Sequence, residues 1–452
     1  MNVHDCLTEP SRYARQIEKL HQNHLVTGQL YELRQSDVSL ASFVLNRAKV
    51  ARLIAKTVGR GQYRLSPAKI RTITTGDKER VVFAYPLADL VVHGAVASVI
   101  EDAIAPLLSD RLYSYRKGAS WWTGVSAFAA FVRTHRRDHP EVQRRGLYVL
   151  RRDIDSYTDS IPVGGNSPLW EMLRRVLRGG DGTAAVNAAD WGLIESVVRP
   201  EAFVKAGRLF TQYRGVATGQ PISCVLFNLY LSGLDAALAR IPGAFYARYC
   251  DDLVFAHPDP DVVRTADGQM CALLANLSLA FNESKSRDVY LTAAGRPSSE
   301  WPAARGTTVV PVLGCHISAR GEVSLGPAKR RRLLVDLQSR ALRTARALQA
   351  ASLDDVGRTV CAAINRSLAP KLEFTQERSA ALVRRVVTDR HDLKQLDYCI
   401  ARIVLRAVTG ARGPQAFRYV SYRKMREDWR LISLFHARNQ WARRRETGVA
   451  VP

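Results

Sequence analysis

Apolar and polar positions run along this chain in two rhythms. Over residues 1–65 the apolar positions return with helical spacing, and Leu40, Phe43, Val44, Ala51, Ile54 and Ala55 can share a face, which predicts a helical lead-in. Residues 69–84 (KIRTITTGDKERVVFA) place β-branched runs either side of Thr75-Gly76-Asp77-Lys78, so a hairpin is expected there. Residues 87–108 read as a helix, 114–122 (SYRKGASWW) as a basic aromatic loop, 124–135 as a helix and 146–153 (GLYVLRRD) as a strand. Gly-rich loop and helix mix over 162–200, and 221–239 is expected to be one apolar helix. Residues 244–256 give two short strands about a central acidic pair, and 311–325 (PVLGCHISARGEVSL) a further hairpin. From Pro327 the pattern turns helical. Pro327 suits a first helical turn, and Leu396, Ile400, Ile403, Val404 and Ala407 keep the spacing of one buried face.

Charge changes the picture from fold to partner. The 452 residues carry 66 Lys+Arg against 42 Asp+Glu, a net +24, and 54 of the cations are Arg. Arg-rich coding would account for Arg over Lys but not for the excess, which calls for a polyanion, with nucleic acid first. Residues 326–452 hold 27 Lys/Arg and 11 Asp/Glu, so +16 of the charge lies there, and this helical region is the strongest candidate to grip a phosphate backbone. A composition 46% hydrophobic and 24% charged excludes disordered and fibrous classes. No bilayer-spanning run is expected, because 87–108 is cut by Asp89, His93, Glu101 and Asp102, and MNVHDCLTEP carries no signal-peptide core. Seven cysteines form no CxxC pair, and their odd number argues against a zinc module or disulfide framework, so a reducing, cytoplasmic setting is expected. Trp121, Trp122, Tyr419, Tyr422, Trp429 and Trp441 could stack on bases, with core packing the better expectation for each.

The most informative segment is RYCDDLVF (248–255), where Asp251 and Asp252 adjoin between short apolar strands. Neighbouring carboxylates repel unless a cation shares them, and Mg²⁺ is the usual one. Asp153, at the end of LYVLRRD, is a third acid placed at a strand end. Together they supply the carboxylates that a two-metal phosphoryl-transfer site needs.

At these residues the chain resembles the reverse transcriptases, RNA-directed DNA polymerases. RYCDDLVF looks like their YxDD motif, RRDIDSYTDSI (151–161) their first palm motif, and GVATGQPISCVLFNLYLSGLD (215–235) the segment that supports template and incoming nucleotide. FNESKSRD (281–288) and VLGCHIS (312–318) are similar to the next palm motif and the primer-contacting hairpin. GDKERVVFAYPLADLVVHGAV (76–96) and LYSYRKGAS (112–120) resemble the fingers of bacterial reverse transcriptases, and the match runs from about residue 70 to 325.

The resemblance implies an α+β right-hand polymerase: a helical lead-in (1–65), fingers and palm with antiparallel sheet plus helices (66–325), then an all-helical, Arg-rich thumb (326–452). It assigns metal binding to Asp153, Asp251 and Asp252, and a role on the pyrophosphate leaving group to Lys285. Lys78, Arg80, Tyr157, Thr158, Gly219 and Gln220 are expected at the nucleotide, and Tyr249, Arg116, Lys117 and Gly314 at primer or template. Lys78 and Arg80, two apart on a strand, face the same side. The implied cofactor is a pair of Mg²⁺ ions, with Mn²⁺ as alternative. The implied partners are an RNA template, structured and non-coding, a DNA product and deoxynucleoside triphosphates, with no membrane; oligomerisation stays open.

Two departures bear on the subtype. Thr158, with Tyr157 before it, stands where the family has a bulky aromatic against the ribose 2′-hydroxyl, which predicts weak deoxynucleotide selection. Ala217-Thr218-Gly219 replaces Pro-Gln-Gly, closer to retron-like enzymes than to group II intron ones. No His/Cys-rich endonuclease module or RNase H acidic cluster follows, which suits a compact bacterial anti-phage defence enzyme. Alternatives are an RNA-dependent RNA polymerase, a template-independent nucleotidyltransferase, and a catalytically idle RNA-binding scaffold.

Overall fold

The computed structural model describes residues 2–27, 39–75, 78–138, 146–178, 186–203, 208–348, 351–368 and 385–439, with only the backbone described at 26–27, 74–75 and 78–80. Its strands are β1 (Ala68–Thr75), β2 (Lys78–Ala84), β3 (Leu147–Asp153), β4 (Glu201–Phe203), β5 (Leu209–Thr211), β6 (Phe245–Tyr249), β7 (Asp252–His257), β8 (Arg287–Leu291), β9 (Arg305–Thr307), β10 (Val309–Val312), β11 (Cys315–Ser318) and β12 (Val323–Leu325). The chain forms two compact units, Met1–Ala119 with Leu150–Phe255 and Asp261–Arg287, and Ser120–Val149 with Ala256–Pro260 and Asp288–Pro452.

In the first unit the described part of the lead-in forms the expected helices, over Val3–Thr8, Pro10–Thr27, Leu40–Leu45 and Arg47–Gly59. Asn46 breaks it between Leu40–Leu45 and Arg47–Gly59, so Phe43 and the set Ala51, Ile54 and Ala55 are buried from separate helices. The hairpin forms β1 and β2, antiparallel with Ile73 opposite Arg80 and Thr75 opposite Lys78, in a sheet of order β2-β1-β4-β5. Further along, β6, β7 and β3 are hydrogen-bonded neighbours in that order.

Helix Leu87–Ile104 is buried on every side, from Leu90 through Ala97 and at Val99, Ile100 and Ile104. Contrary to the sequence expectation, the stretch Leu87–Leu107 is long and apolar enough to cross a membrane, because Asp89, Glu101 and Asp102 fall near its ends. Of that window 61% is buried inside the protein, as for a core helix. The expected helix over 221–239 is two, Pro221–Tyr230 and Ser232–Leu238, bent by 44°. The Ser232-Gly233 pair after the break is weakly helical, and Ser232 Oγ bonds back to Leu229 O at 2.7 Å.

In the second unit, helix Trp121–Asp138 begins before Gly124, so both tryptophans open the helix instead of ending the loop. The hairpin expected over 311–325 gains a third strand, in order β10-β11-β12, and β8 pairs β9 in parallel. Arg133 and Arg136 donate to the carbonyls of Gly321 and Ala319 beyond β11, at 2.6 and 3.0 Å. Helices Pro327–Arg346, Leu353–Leu368 and Arg390–Thr409 pack together. The last buries Leu396, Ile400 and Val404 and half-buries Ile403 and Ala407. Trp429 is core, whereas Tyr419 is exposed; Trp441 lies outside the described residues.

Candidate active site

β3 is buried along almost its whole length and ends on Asp153, which keeps 9% of its surface exposed. The other acids sit on the turn joining β6 to β7, where Cys250 takes a left-handed φ of 57° and Asp252 opens β7. The two places are tied directly, Ile154 N donating to Asp251 O at 3.0 Å. A third segment closes on them: Asn282 N donates to Asp153 O at 2.8 Å and Asp155 N to Ala280 O at 2.9 Å. This seats the FNESK loop beside β3, and Lys285 Nζ donates to Asp153 Oδ1 at 2.6 Å.

Burial first, then the charges of Asp251 and Asp153, push the Asp252 carboxyl up to about 6, with Arg151 and Lys285 pulling the other way. The hydrogen bond to Asp153 holds Lys285 above its ordinary value. Burial lowers Arg151, against the pull of Asp252 and Asp153. Arg151, the first residue of RRD, is therefore a cation of this cluster that the sequence reading passed over; its place in the strand two residues before Asp153 was the available signal.

Among the described residues no group of three or more His, Cys, Asp or Glu is assembled to hold a metal ion. The three carboxylates are electrostatically coupled, and Lys285 already neutralises one oxygen of Asp153. Mg²⁺ characteristically takes one or two carboxylates and completes its shell with water and substrate phosphate. A crowded set in which Asp252 resists ionisation fits that kind of cation.

Other sequence-predicted residues divide. Tyr157 is buried, its ring 5.4 Å from that of Phe227 and its hydroxyl donating to Phe227 O at 2.7 Å. Thr158 beside it is half-buried, its carbonyl accepting from Val216 N at 2.9 Å. Gly219 has φ 87°, and a Cβ there would lie 3.4 Å from Val82 Cβ, so this loop packs on β2. Phe83 N donates to Thr218 O at 3.2 Å, and Thr218 Oγ1 to Val81 O. Gln220 is buried just before the helix it precedes, and Tyr249 is half-buried at the end of β6.

Arg116 spends two nitrogens on its own loop, at Leu112 O (2.9 Å) and Asp110 O (3.1 Å), whereas Lys117 is exposed. That makes Arg116 a brace of the loop. The side chains of Lys78 and Arg80 lie outside the described residues. Gly314 belongs to the second unit, where it turns β10 into β11 at φ 75°; a Cβ there would lie 2.7 Å from Lys329 Cε.

Carboxylates carried by β3 and by a β6-β7 turn, with a lysine loop against them and a basic helical region further along the chain, define a right-hand nucleic-acid polymerase. Residues 91–317, half of the chain, match the family model for reverse transcriptase (RNA-dependent DNA polymerase), and the chain belongs to that family. No curated protein matches. Among solved structures the chain is similar to apo telomerase from Candida tropicalis truncated from its C-terminal domain, with 14% identity over 58% of this chain and 56% of that one, TM-score 0.42. It is also similar to telomerase from Candida albicans in complex with a TWJ fragment of telomeric RNA, with 11% identity over 84% and 64%, TM-score 0.43. Full apo telomerase from Candida tropicalis gives 12% identity over 81% and 68%, TM-score 0.44. The chain thus spans 56% and 64% of the first two.

Proposed function

We propose that this protein is an RNA-directed DNA polymerase that extends a 3′ end by in-line attack on a nucleoside triphosphate. The coupling of Asp153, Asp251, Asp252 and Lys285 carries the reading, since it joins acids from two strand ends to a cation at one place. Asp153, Asp251 and Asp252 would hold two Mg²⁺, or Mn²⁺, which when bound sharpen the attacking oxygen and stabilise the leaving one. Lys285, held protonated by Asp153, would protonate or neutralise the departing pyrophosphate. The loop at Gly219, packed on β2, supports the incoming nucleotide.

The template proposed is a dedicated structured RNA and the role bacterial anti-phage defence in the cytoplasm, with the Thr218-Gly219 pair favouring a retron-like enzyme over a group II intron one. The burial of Tyr157 favours a second reading in which ribonucleotides are also accepted, because its hydroxyl is engaged by Phe227 O and Thr158 beside it is small.

Primer extension by the native chain and by Asp251→Asn and Asp252→Asn tests the proposal. Amides are poor ligands for hard cations, so incorporation should vanish while RNA affinity stays near native. Near-native rates in either variant would overturn the site, and an inert native chain that still binds RNA would favour the scaffold reading. Sequencing the nucleic acid that copurifies with the chain, before and after nucleotides are added, identifies template and product.

A further inference from the structure

Arg248 and Asp235 form a pair with no exposed surface on either side chain. The guanidinium reaches Asp235 through Nε and Nη2, at 2.8 and 2.6 Å, and Tyr246 donates its hydroxyl to the same carboxylate at 2.7 Å. The remaining arm is aimed elsewhere, Arg248 Nη1 donating to Cys250 O at 3.1 Å. On the other side of the same residue, Cys250 N donates to Ser114 Oγ at 2.8 Å, and Asn228 Nδ2 holds Ser114 O at 3.1 Å.

Cys250 is thus gripped at both of its peptide groups while it sits at φ 57°, a conformation that side chains with a Cβ adopt at a cost. It is the residue immediately before Asp251 and Asp252. A buried ion pair commonly adds little stability over an apolar pair of the same shape, so burial alone gives no reason for this one. The planar fork does what an apolar pair cannot: anchored on Asp235, it presents one N–H in a fixed direction.

We infer that Arg248, anchored by Asp235 and opposed by Ser114, is a positioning residue that locks Cys250 in its left-handed turn and so sets the direction of the Asp251 and Asp252 carboxylates. The inference rests on the polymerase reading for its consequence in catalysis, though not for the tether itself.

The test combines Asp235→Leu with Arg248→Met, an apolar swap that keeps the core filled, and compares it with Arg248→Lys and Ser114→Ala. Thermal melting, RNA affinity, kcat for nucleotide incorporation, and hydrogen exchange of the peptide covering 249–254 are measured on each. The expected result is native-like melting and RNA affinity in the apolar swap, faster exchange in the turn, and kcat reduced by about 10²-fold, the scale of a displaced catalytic group. Ser114→Ala and Arg248→Lys should give smaller kcat losses whose combination is less than their product, since both release one turn. Unchanged exchange, or faster exchange with native kcat, overturns the inference. If the apolar swap does not fold, Arg248→Lys carries the same two readouts, because one ammonium cannot hold both Asp235 and the Cys250 carbonyl. A native chain that incorporates no nucleotide defeats the polymerase reading, while the exchange comparison still decides whether the tether exists.

Discussion

Lys285 Nζ stands 2.6 Å from Asp153 Oδ1, placing an ammonium on the most buried of the three candidate carboxylates. The Lys285 side chain is 52% exposed, so the contact contributes only about 0–1 kcal/mol to stability. Its weight lies in the reaction. Lys285→Met is expected to melt like the native chain while incorporation falls by about 10²-fold, and Lys285→Arg, which keeps charge but not a transferable proton, should recover part of the loss. Single-turnover primer extension beside a melting curve separates the two effects, and full activity in Lys285→Met would remove the residue from the site.

Sugar choice has two candidates, the half-buried Thr158 and the buried Tyr157. Thr158→Phe should sharpen the preference for deoxynucleotides, read as the ratio of kcat/KM for each deoxy and ribo pair. Tyr157→Ala is expected to act on folding instead: it leaves a cavity against Phe227 and removes a buried hydrogen bond, a loss of about 3–5 kcal/mol. A Tyr157→Ala protein of native stability with collapsed sugar discrimination would assign the gate to Tyr157.

The acidic turn, its flanking strands and Asp153 were legible in the sequence because short apolar strands around adjacent acids form a local pattern. What escaped depends on contacts between distant segments. Nothing in RYCDD announces that Arg248 meets Asp235 thirteen residues earlier, or that Ser114 meets Cys250 across 136 positions. The packing of Tyr157 escaped for a related reason: the direction of its ring is set by Phe227, from another helix. The break at Leu231 was hidden because apolar residues continue through it, from Leu229 to Leu231 and again at Leu234, and only Ser232-Gly233 marks it.

His93 gives the fold an acid limit. Its ring is buried with neither nitrogen hydrogen-bonded, 4.6 Å from the ring of Tyr85, and burial pushes it down to about 3 from an ordinary 6.5. The folded chain disfavours the protonated ring, whereas the unfolded chain takes up a proton below pH 6.5. Stability from this group is therefore complete above that pH and drains as pH falls toward 3, by about 2 kcal/mol at pH 5. His93→Leu should flatten the acid limb of a denaturant-midpoint profile between pH 7 and about 4.5. An acid limb equally steep in the variant would assign it to other groups.

The basic helical region supplies the last prediction. Arg331 and Arg332 are exposed on helix Pro327–Arg346, with Leu333 and Leu337 of the same helix turned into the core. Exposure of the two cations on a helix anchored by its apolar face makes them available to backbone phosphates without rearrangement. Each phosphate they neutralise releases condensed counterions, so log affinity should depend on log salt with a slope of about 0.7–0.9 per contact. Arg331→Gln with Arg332→Gln is expected to lower the slope for a structured RNA by up to about two such steps, and to weaken binding nearly uniformly across RNA sequences. The cluster Arg443, Arg444 and Arg445 lies outside the described residues and serves as an independent comparison in the same salt series. An unchanged slope in the Arg331/Arg332 variant, with the helix still folded, would show this face to be solvated and would move the phosphate contacts to other parts of the chain.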